Sequence, residues 1–289
     1  MDMEHVDILI IGAGAAGIAA AKGAWEAGCT SIAMVDRKAH MGGVLLQCTH
    51  HGFGAFQSGP EYTQKLLSDF PEGIRFFSDT TVLTVKPDRT ALLSGGKYIE
   101  FQQLILATGC REIPIGALPV TGTRPKGIYT AGQMQEMMNL YGYVPEGPVV
   151  ILGSGDLGLI MGEQIARCGC AVTLIEQKAS CGGMARNQRC LSKYPITLLC
   201  GTTLTEVLGD RTITGVVTAN GLHIPCRTLL VAVGLRPERE VIYGIEDQPW
   251  LHVCGNCRTV HPMVESVVNE GYQAGLAAYQ HLYNRIDPE

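Results

Sequence analysis

Two short glycine clusters, each followed at a distance by an acid, carry the clearest chemistry in this 289-residue chain. The first is Gly12-Ala-Gly14-Ala15-Ala16-Gly17, with Asp36 nineteen residues after its last glycine. The second is Gly153-Ser-Gly155-Asp156-Leu157-Gly158, with Glu176 eighteen residues on. In a G-x-G-x-x-G turn the first glycine allows a tight bend and the second lets the backbone approach a pyrophosphate. The third lets helix and strand pack closely, and an acid about twenty residues on accepts hydrogen bonds from a ribose. The diphosphate meets the unpaired N–H groups and positive pole at the start of a helix. Thiols and imidazoles are the other candidates. The eleven cysteines are odd in number and no export signal precedes them, which argues against a disulfide scaffold. Cys254-Gly-Asn-Cys257 with His252 and His261 resembles a zinc ligand set on paper, or a labile disulfide; two cysteines cannot by themselves hold an iron–sulfur cluster. His50 and His51 are candidate acid–base groups or polar contacts.

The elements that must position these residues form an internal repeat. A β-type run at residues 6–11, the first glycine turn, an Ala-rich helix to about Glu26 and a strand from Ser31 to Val35 make one βαβ unit. Residues 148–152, the second glycine turn, a helix to about Cys168 and a strand from Ala171 to Ile175 make another, 141 positions later. An alternating stretch with a turn follows each unit: Val82 to Phe101 around Ser94-Gly95-Gly96, and Thr203 to Ile224 around Asn220-Gly221. Each half then ends in a buried-type strand and a Gly-x-x-Pro-like turn, at Leu104–Gly109 and Leu229–Gly234.

Composition agrees. There are 36 glycines without a three-residue period, and 46% of residues are hydrophobic, which excludes a collagen-like or disordered chain. The formal charge of −5 provides no basic field for nucleic acid or an anionic membrane. Residues 6–21 are apolar apart from Asp7, but Asp2 and Glu4 stand where a signal peptide needs basic residues, and glycines interrupt the run. No membrane span and a cytoplasmic location are expected.

With these features the chain resembles the two-dinucleotide-binding-domain flavoproteins, the pyridine nucleotide–disulfide oxidoreductase superfamily that includes thioredoxin reductase. The resemblance covers nearly the whole chain. It implies an α/β architecture of two Rossmann-like, ββα-type three-layer dinucleotide-binding domains, with the NAD domain inserted into the FAD domain. The expected boundaries are 1–118 and 246–289 for the FAD domain and 119–245 for the NAD(P) domain. A strand near Trp250, the Cys254-Gly255-Asn256 turn and a helix from about Pro262 to Leu282 would complete the FAD domain.

For FAD the resemblance implies Gly12, Gly14 and Gly17 at the pyrophosphate and Asp36 at the adenosine ribose, with Ala15, Ala16 and Arg37 among the cofactor-binding residues. It adds Gly43, Val44, Val82, Ala107, Thr108, Gly109, Gly255, Asn256, His261 and Met263 around the rest of the cofactor. Asn256 stands where the family normally places the acid that bonds the ribitol. The helix start near His261 and Met263 would aim its positive end at the flavin N1–C2 edge. For NAD it implies Gly153, Gly155, Asp156, Leu157, Gly158, Glu176, Gln177 and Gly234. Glu176 favours NADH over NADPH because a 2′-phosphate beside a carboxylate is repelled; Lys178 and Arg186 are near enough in sequence to soften that preference.

The chain departs from the disulfide reductases. No Cys-x-x-Cys precedes the second glycine cluster, and Gly42-Gly43 is followed by the single Cys48. Dithiol–disulfide exchange is therefore the wrong reaction class. A narrower resemblance is carried by Gly43–Gly54, Gly127–Gly132, Leu152–Ile160 and Val253–His261. These segments resemble FAD-dependent subunits of multi-subunit amine, opine, cyanide-forming and glycerol-3-phosphate dehydrogenase systems. That implies an oligomer in which electrons pass between NAD(H) and a second flavoprotein dehydrogenase subunit, with an iron–sulfur protein often beside it. Cys48 and His261 are the catalytic candidates, with Cys48 also readable as buried filler or as a thiol that tunes the flavin. Two alternatives remain open: a self-sufficient thiol-dependent reductase using Cys254/Cys257 or Cys48, and a non-catalytic nucleotide-binding protein of the assembly.

Overall fold

The computed structural model of the chain describes residues 3–283. The outermost residues of the expected first domain, 1–2 and 284–289, lie outside this range. The chain divides into two compact units: one ends at Arg111 and resumes at Arg236, and the other is Glu112–Leu235.

In the first unit, strand Met3–Ile11 runs parallel to Ile32–Val35 on one side and to Tyr98–Leu106 on the other. Arg75–Phe77 extends the sheet beyond Ile32–Val35, and Leu251–Val253 pairs in parallel with Tyr98–Leu106. The inner stretches Ile8–Ile11, Ile32–Val35 and Leu104–Leu106 are continuous apolar runs because both faces are covered. Ile8, Ile10, Ile32, Met34 and Ile105 point to one core; Leu9, Ile11, Ala33, Val35, Leu104 and Leu106 point to the other. Helices Ala15–Glu26 and Val264–Tyr283 cover the first face. The antiparallel meander Val82–Val85, Thr90–Leu93 and Tyr98–Leu106 covers the second, with Trp250 set edge-on to Phe101 at 5.3 Å. The layers are meander, sheet and helices.

The second unit repeats this plan. Its parallel sheet has the order Ile128–Thr130, Thr228–Val231, Val149–Leu152, Val172–Glu176, Ile196–Cys200. Val149 and Ile151 face a helical core, while Val150 and Leu152 face a core roofed by Leu204–Gly209, Ile213–Thr218 and His223–Pro225. Among the described residues no helix is long and apolar enough to cross a membrane.

Candidate functional site

The three glycines of each cluster divide their roles identically. A Cβ on Gly12 would stand 2.4 Å from the Ala107 carbonyl oxygen, and one on Gly153 would stand 2.3 Å from that of Ala232. Both glycines also have positive φ, +103° and +105°, so they serve the turn. A Cβ on Gly17 or Gly158 would strike the carbonyl oxygen of Gly12 or Gly153 at 1.8 and 2.2 Å, so these serve packing. At Gly14 and Gly155 nothing lies within 4 Å of the added carbon. No neighbour in the fold requires a glycine there; a ligand pressed against the backbone would.

The helices that start at these loops support that assignment. Ala15–Glu26 and Asp156–Arg167 begin at Gly14 and Gly155 without a side-chain cap. Helices Gly59–Leu67 and Ala131–Tyr141 instead carry capping boxes, Ser58 with Glu61 and Thr130 with Gln133. The first-turn N–H groups of the two glycine-loop helices are therefore available to an anion.

Each acid braces its own loop. Asp36 accepts from Ala13 N at 2.7 Å and from Lys38 N at 2.8 Å. Glu176 accepts from Ser154 N at 2.9 Å, Ser154 Oγ at 2.7 Å and Lys178 N at 2.9 Å. Burial raises the Glu176 carboxyl, but the Ser154 hydroxyl and these two amides outweigh it and hold the group below the usual carboxylate range. Each acid has lone pairs left for a ribose. Gln177, Lys178 and Arg186 are exposed.

Around the first loop the fold gathers most of the expected set. Gly42 bridges to Gly14, and Gly43, at φ +56°, packs toward Gly14 Cα. Val44 is exposed and Val82 half-buried. Ala107 N donates to the Ile11 carbonyl at 2.8 Å, and Thr108 Oγ1 donates to the Glu238 carbonyl at 2.5 Å. Gly109 has φ +79° and open space at its α-carbon, while its carbonyl receives Glu238 N at 3.0 Å. Arg37 is exposed, with Nη1 3.6 Å from Glu238 Oε1. Around the second loop, Leu157 is half-buried against the helical core, and the Gly234 carbonyl receives Ile113 N at 3.1 Å.

The loop before the C-terminal helix is organised by a residue that motif spacing passed over. Glu270 accepts from Gly255 N at 2.9 Å and Arg258 Nη1 at 2.8 Å, and its Oε2 lies 2.8 Å from His261 Nε2. Burial pushes its carboxyl up, and the bonds from His261, Arg258 and Gly255 bring it below the usual range. Asn256 Oδ1 accepts from His261 N at 3.0 Å, and Met263 is exposed. Arg239 donates to the carbonyls of Cys257 and Arg258. The acid immediately before Gly271 in an otherwise neutral stretch of helix was the available signal.

All eleven cysteines are thiols. Cys48 is buried where the helix Gly59–Leu67 begins, its carbonyl receiving Gly59 N at 2.8 Å, and burial pushes its thiol up to about 12. Burial thus favours the protonated thiol at neutral pH, which lowers its nucleophilicity. Cys254 and Cys257 are buried, both Sγ atoms facing the Leu106 carbonyl, and burial raises both thiols. His252 pairs with Gln103 at 3.0 Å, away from the His261–Glu270 pair, so the imidazoles do not join the two thiols in a metal shell.

Comparison with known proteins agrees with this geometry. The family model described as pyridine nucleotide-disulphide oxidoreductase matches residues 6–262. Over 182 residues the chain is 31% identical to an opine oxidase subunit of Agrobacterium tumefaciens (strain Ach5), covering 57% of this chain and only 35% of that protein. It is 24% identical to thioredoxin reductase of Mycolicibacterium smegmatis, over 92% of this chain and 87% of that one. The crystal structure of T. acidophilum thioredoxin reductase superposes with a TM-score of 0.79 at 21% identity, covering 97% of this chain and 99% of that one.

Proposed function

Because the chain belongs to the pyridine nucleotide-disulphide oxidoreductase family of FAD-dependent, NAD(P)H-linked oxidoreductases, we propose that it relays electrons between NADH and a partner dehydrogenase subunit through FAD. The first unit takes FAD and the second takes the pyridine nucleotide. The observation that carries this reading is the pair of open glycines, Gly14 and Gly155, each at an uncapped helix start beside a loop braced by an acid. FAD, when bound, supplies a centre that accepts a hydride from nicotinamide and passes electrons on. The residues position and polarise. Gly14 and the first turn of Ala15–Glu26 receive the pyrophosphate, and Asp36 turns its remaining lone pairs to the ribose. Thr108 and Gly109 are held by the Glu238 main chain as a flat approach for the cofactor. Glu270 holds His261, and the His261 amide in turn holds the Asn256 side chain, ahead of the C-terminal helix.

Glu176, held ionised, favours a ribose with a 2′-hydroxyl, hence NADH. Electron transfer to a partner protein is supported by likeness to a protein named as part of an oxidase and by the burial of every cysteine in the two candidate redox positions. Purified protein should be yellow and should bleach when titrated anaerobically with NADH. Protein that takes up no FAD on reconstitution, or whose bound FAD is reduced by neither NADH nor NADPH, would overturn the proposal.

A further inference from the structure

The segment after Asp36 and the segment after Glu176 share a pattern: Asp36-Arg-Lys38-Ala-His-Met41-Gly42-Gly43 and Glu176-Gln-Lys178-Ala-Ser-Cys181-Gly182-Gly183. In both units the Gly-Gly pair folds back onto the glycine loop. The way it is tied differs. In the first unit the tie is backbone to backbone, Gly42 N donating to the Ala13 carbonyl at 2.8 Å. In the second, the residue equivalent to Ala13 is Ser154, whose side chain makes the tie. Ser154 is fully buried. Its Oγ donates to Glu176 Oε2 at 2.7 Å and accepts from Gly182 N at 3.0 Å, and its carbonyl faces Cys181 Sγ at 3.6 Å. A second tie follows, as Asp156 Oδ1 accepts from Met184 N at 2.8 Å and Asn187 Nδ2 at 2.6 Å. Gly183 then lies so close to the helix start that a Cβ there would be 2.5 Å from Leu159 Cδ1 and 3.2 Å from Asp156 N.

We propose that Ser154 is a positioning residue that sets pyridine-nucleotide selectivity, its hydroxyl locking the Glu176 carboxylate and the Gly182-Gly183 loop into one arrangement. With Oε2 taken by the Ser154 amide and hydroxyl, the carboxylate cannot rotate, and Oε1, which accepts only Lys178 N, presents its remaining lone pair to a ribose 2′-hydroxyl. A 2′-phosphate makes no such bond. The relay therefore supports NAD(H) and, by fixing the carboxylate where a 2′-phosphate would sit, disfavours NADP(H). This inference rests on the reading that the second unit binds a pyridine nucleotide.

The test is Ser154→Ala in the FAD-loaded full chain, with NAD+ and NADP+ binding measured by calorimetry and hydrogen–deuterium exchange followed without nucleotide. The expected result is a loss of NAD+ affinity of about tenfold, the worth of one hydrogen bond to a charged group. NADP+ affinity should not fall, because the freed carboxylate no longer opposes a 2′-phosphate; exchange should rise across residues 181–188, and FAD content should stay at the wild-type level. Ser154→Cys, of similar size and weaker hydrogen bonding, should fall between wild type and Ser154→Ala, and it serves if Ser154→Ala does not fold. Equal weakening of NAD+ and NADP+, or NAD+ affinity and exchange both unchanged in a folded variant, overturns the inference and leaves the parent reading intact. Wild-type protein that binds neither NAD+ nor NADP+ overturns both.

Discussion

Gly12 and Gly14 stand two residues apart, yet one added methyl group acts on them in opposite ways. At Gly12 it would collide with the Ala107 carbonyl in a left-handed backbone, so Gly12→Ala strains the unit whether or not a cofactor is present. At Gly14 the φ of −78° suits any residue and the space is open. Gly14→Ala should leave the FAD-free protein within about 1 kcal/mol of wild type, the scale of an N-cap change. It should weaken FAD by about tenfold or more, the cost of pushing the diphosphate off one charge-assisted hydrogen bond. Thermal unfolding of FAD-stripped protein and flavin fluorescence on titration measure the two effects separately; equal loss in both would show that Gly14 is needed by the fold. The roles of these glycines were legible in the sequence because the motif is local. Glu270 and Ser154 were not, because each acts on a residue that only folding brings near: Gly255 is fifteen positions from Glu270, and Gly182 is twenty-eight from Ser154.

Helices Ala15–Glu26 and Val264–Tyr283 touch through backbone, which explains glycines that the nucleotide motif does not use. A Cβ on Gly271 would be 2.2 Å from the Ala16 carbonyl oxygen, one on Gly275 2.1 Å from that of Ala20, and one on Gly23 2.4 Å from that of Tyr272. Close approach of this kind brings the C-terminal helix, and with it the Glu270-braced loop, against the first glycine loop. Gly275→Val should destabilise the protein by about 1–3 kcal/mol, the range of overpacked cores, and lower its thermal midpoint. Gly162 is the control: an added Cβ there meets nothing nearer than Ile151 Cδ1 at 3.7 Å, so Gly162→Ala should stabilise by up to about 1 kcal/mol. If Gly275→Val left the midpoint unchanged, the backbone contact between these helices would be refuted. The same elements show where periodicity ran out. In the first unit the strand–helix pair that completes the sheet, Leu251–Val253 with Val264–Tyr283, comes last; in the second its counterpart, Ile128–Thr130 with Ala131–Tyr141, comes first. The repeat is circularly permuted, and a search for the same order in both halves sees only the shared middle.

At the scale of the whole molecule, acid should loosen the C-terminal return. His252 is largely buried between Gln103 and the His281 ring, 5.0 Å away, and burial, followed by the neighbouring His281, lowers it from 6.5 to about 4. A folded value below the unfolded one means that the unfolded chain binds the extra proton first. Stability is therefore complete above pH 6.5 and falls as the pH drops toward 4, by about 3 kcal/mol from this group. Glu270, held below 4.5, has the same sign and adds its loss at lower pH still. Urea unfolding from pH 7.5 to 4 should show this decline, and His252→Gln, which can still donate to Gln103, should flatten the part between 6.5 and 4. A wild-type profile that is flat over that interval would contradict the buried neutral imidazole.

Two G-x-G-x-x-G turns, their acids, the apolar strands buried on both faces and the missing redox cysteine pairs were all determined by the sequence alone. Each depends on residues within about twenty positions, or on counting residue types. Only the tertiary structure showed what each glycine of the two turns meets in the fold, since that depends on the Ala107 and Ala232 carbonyls, which lie just after strands distant in sequence. It also decided that Cys48, Cys254 and Cys257 are desolvated thiols, because burial is a property of everything packed around a side chain. Spacing placed Glu176 at the second site; the buried hydroxyl of Ser154 decided where its carboxylate points.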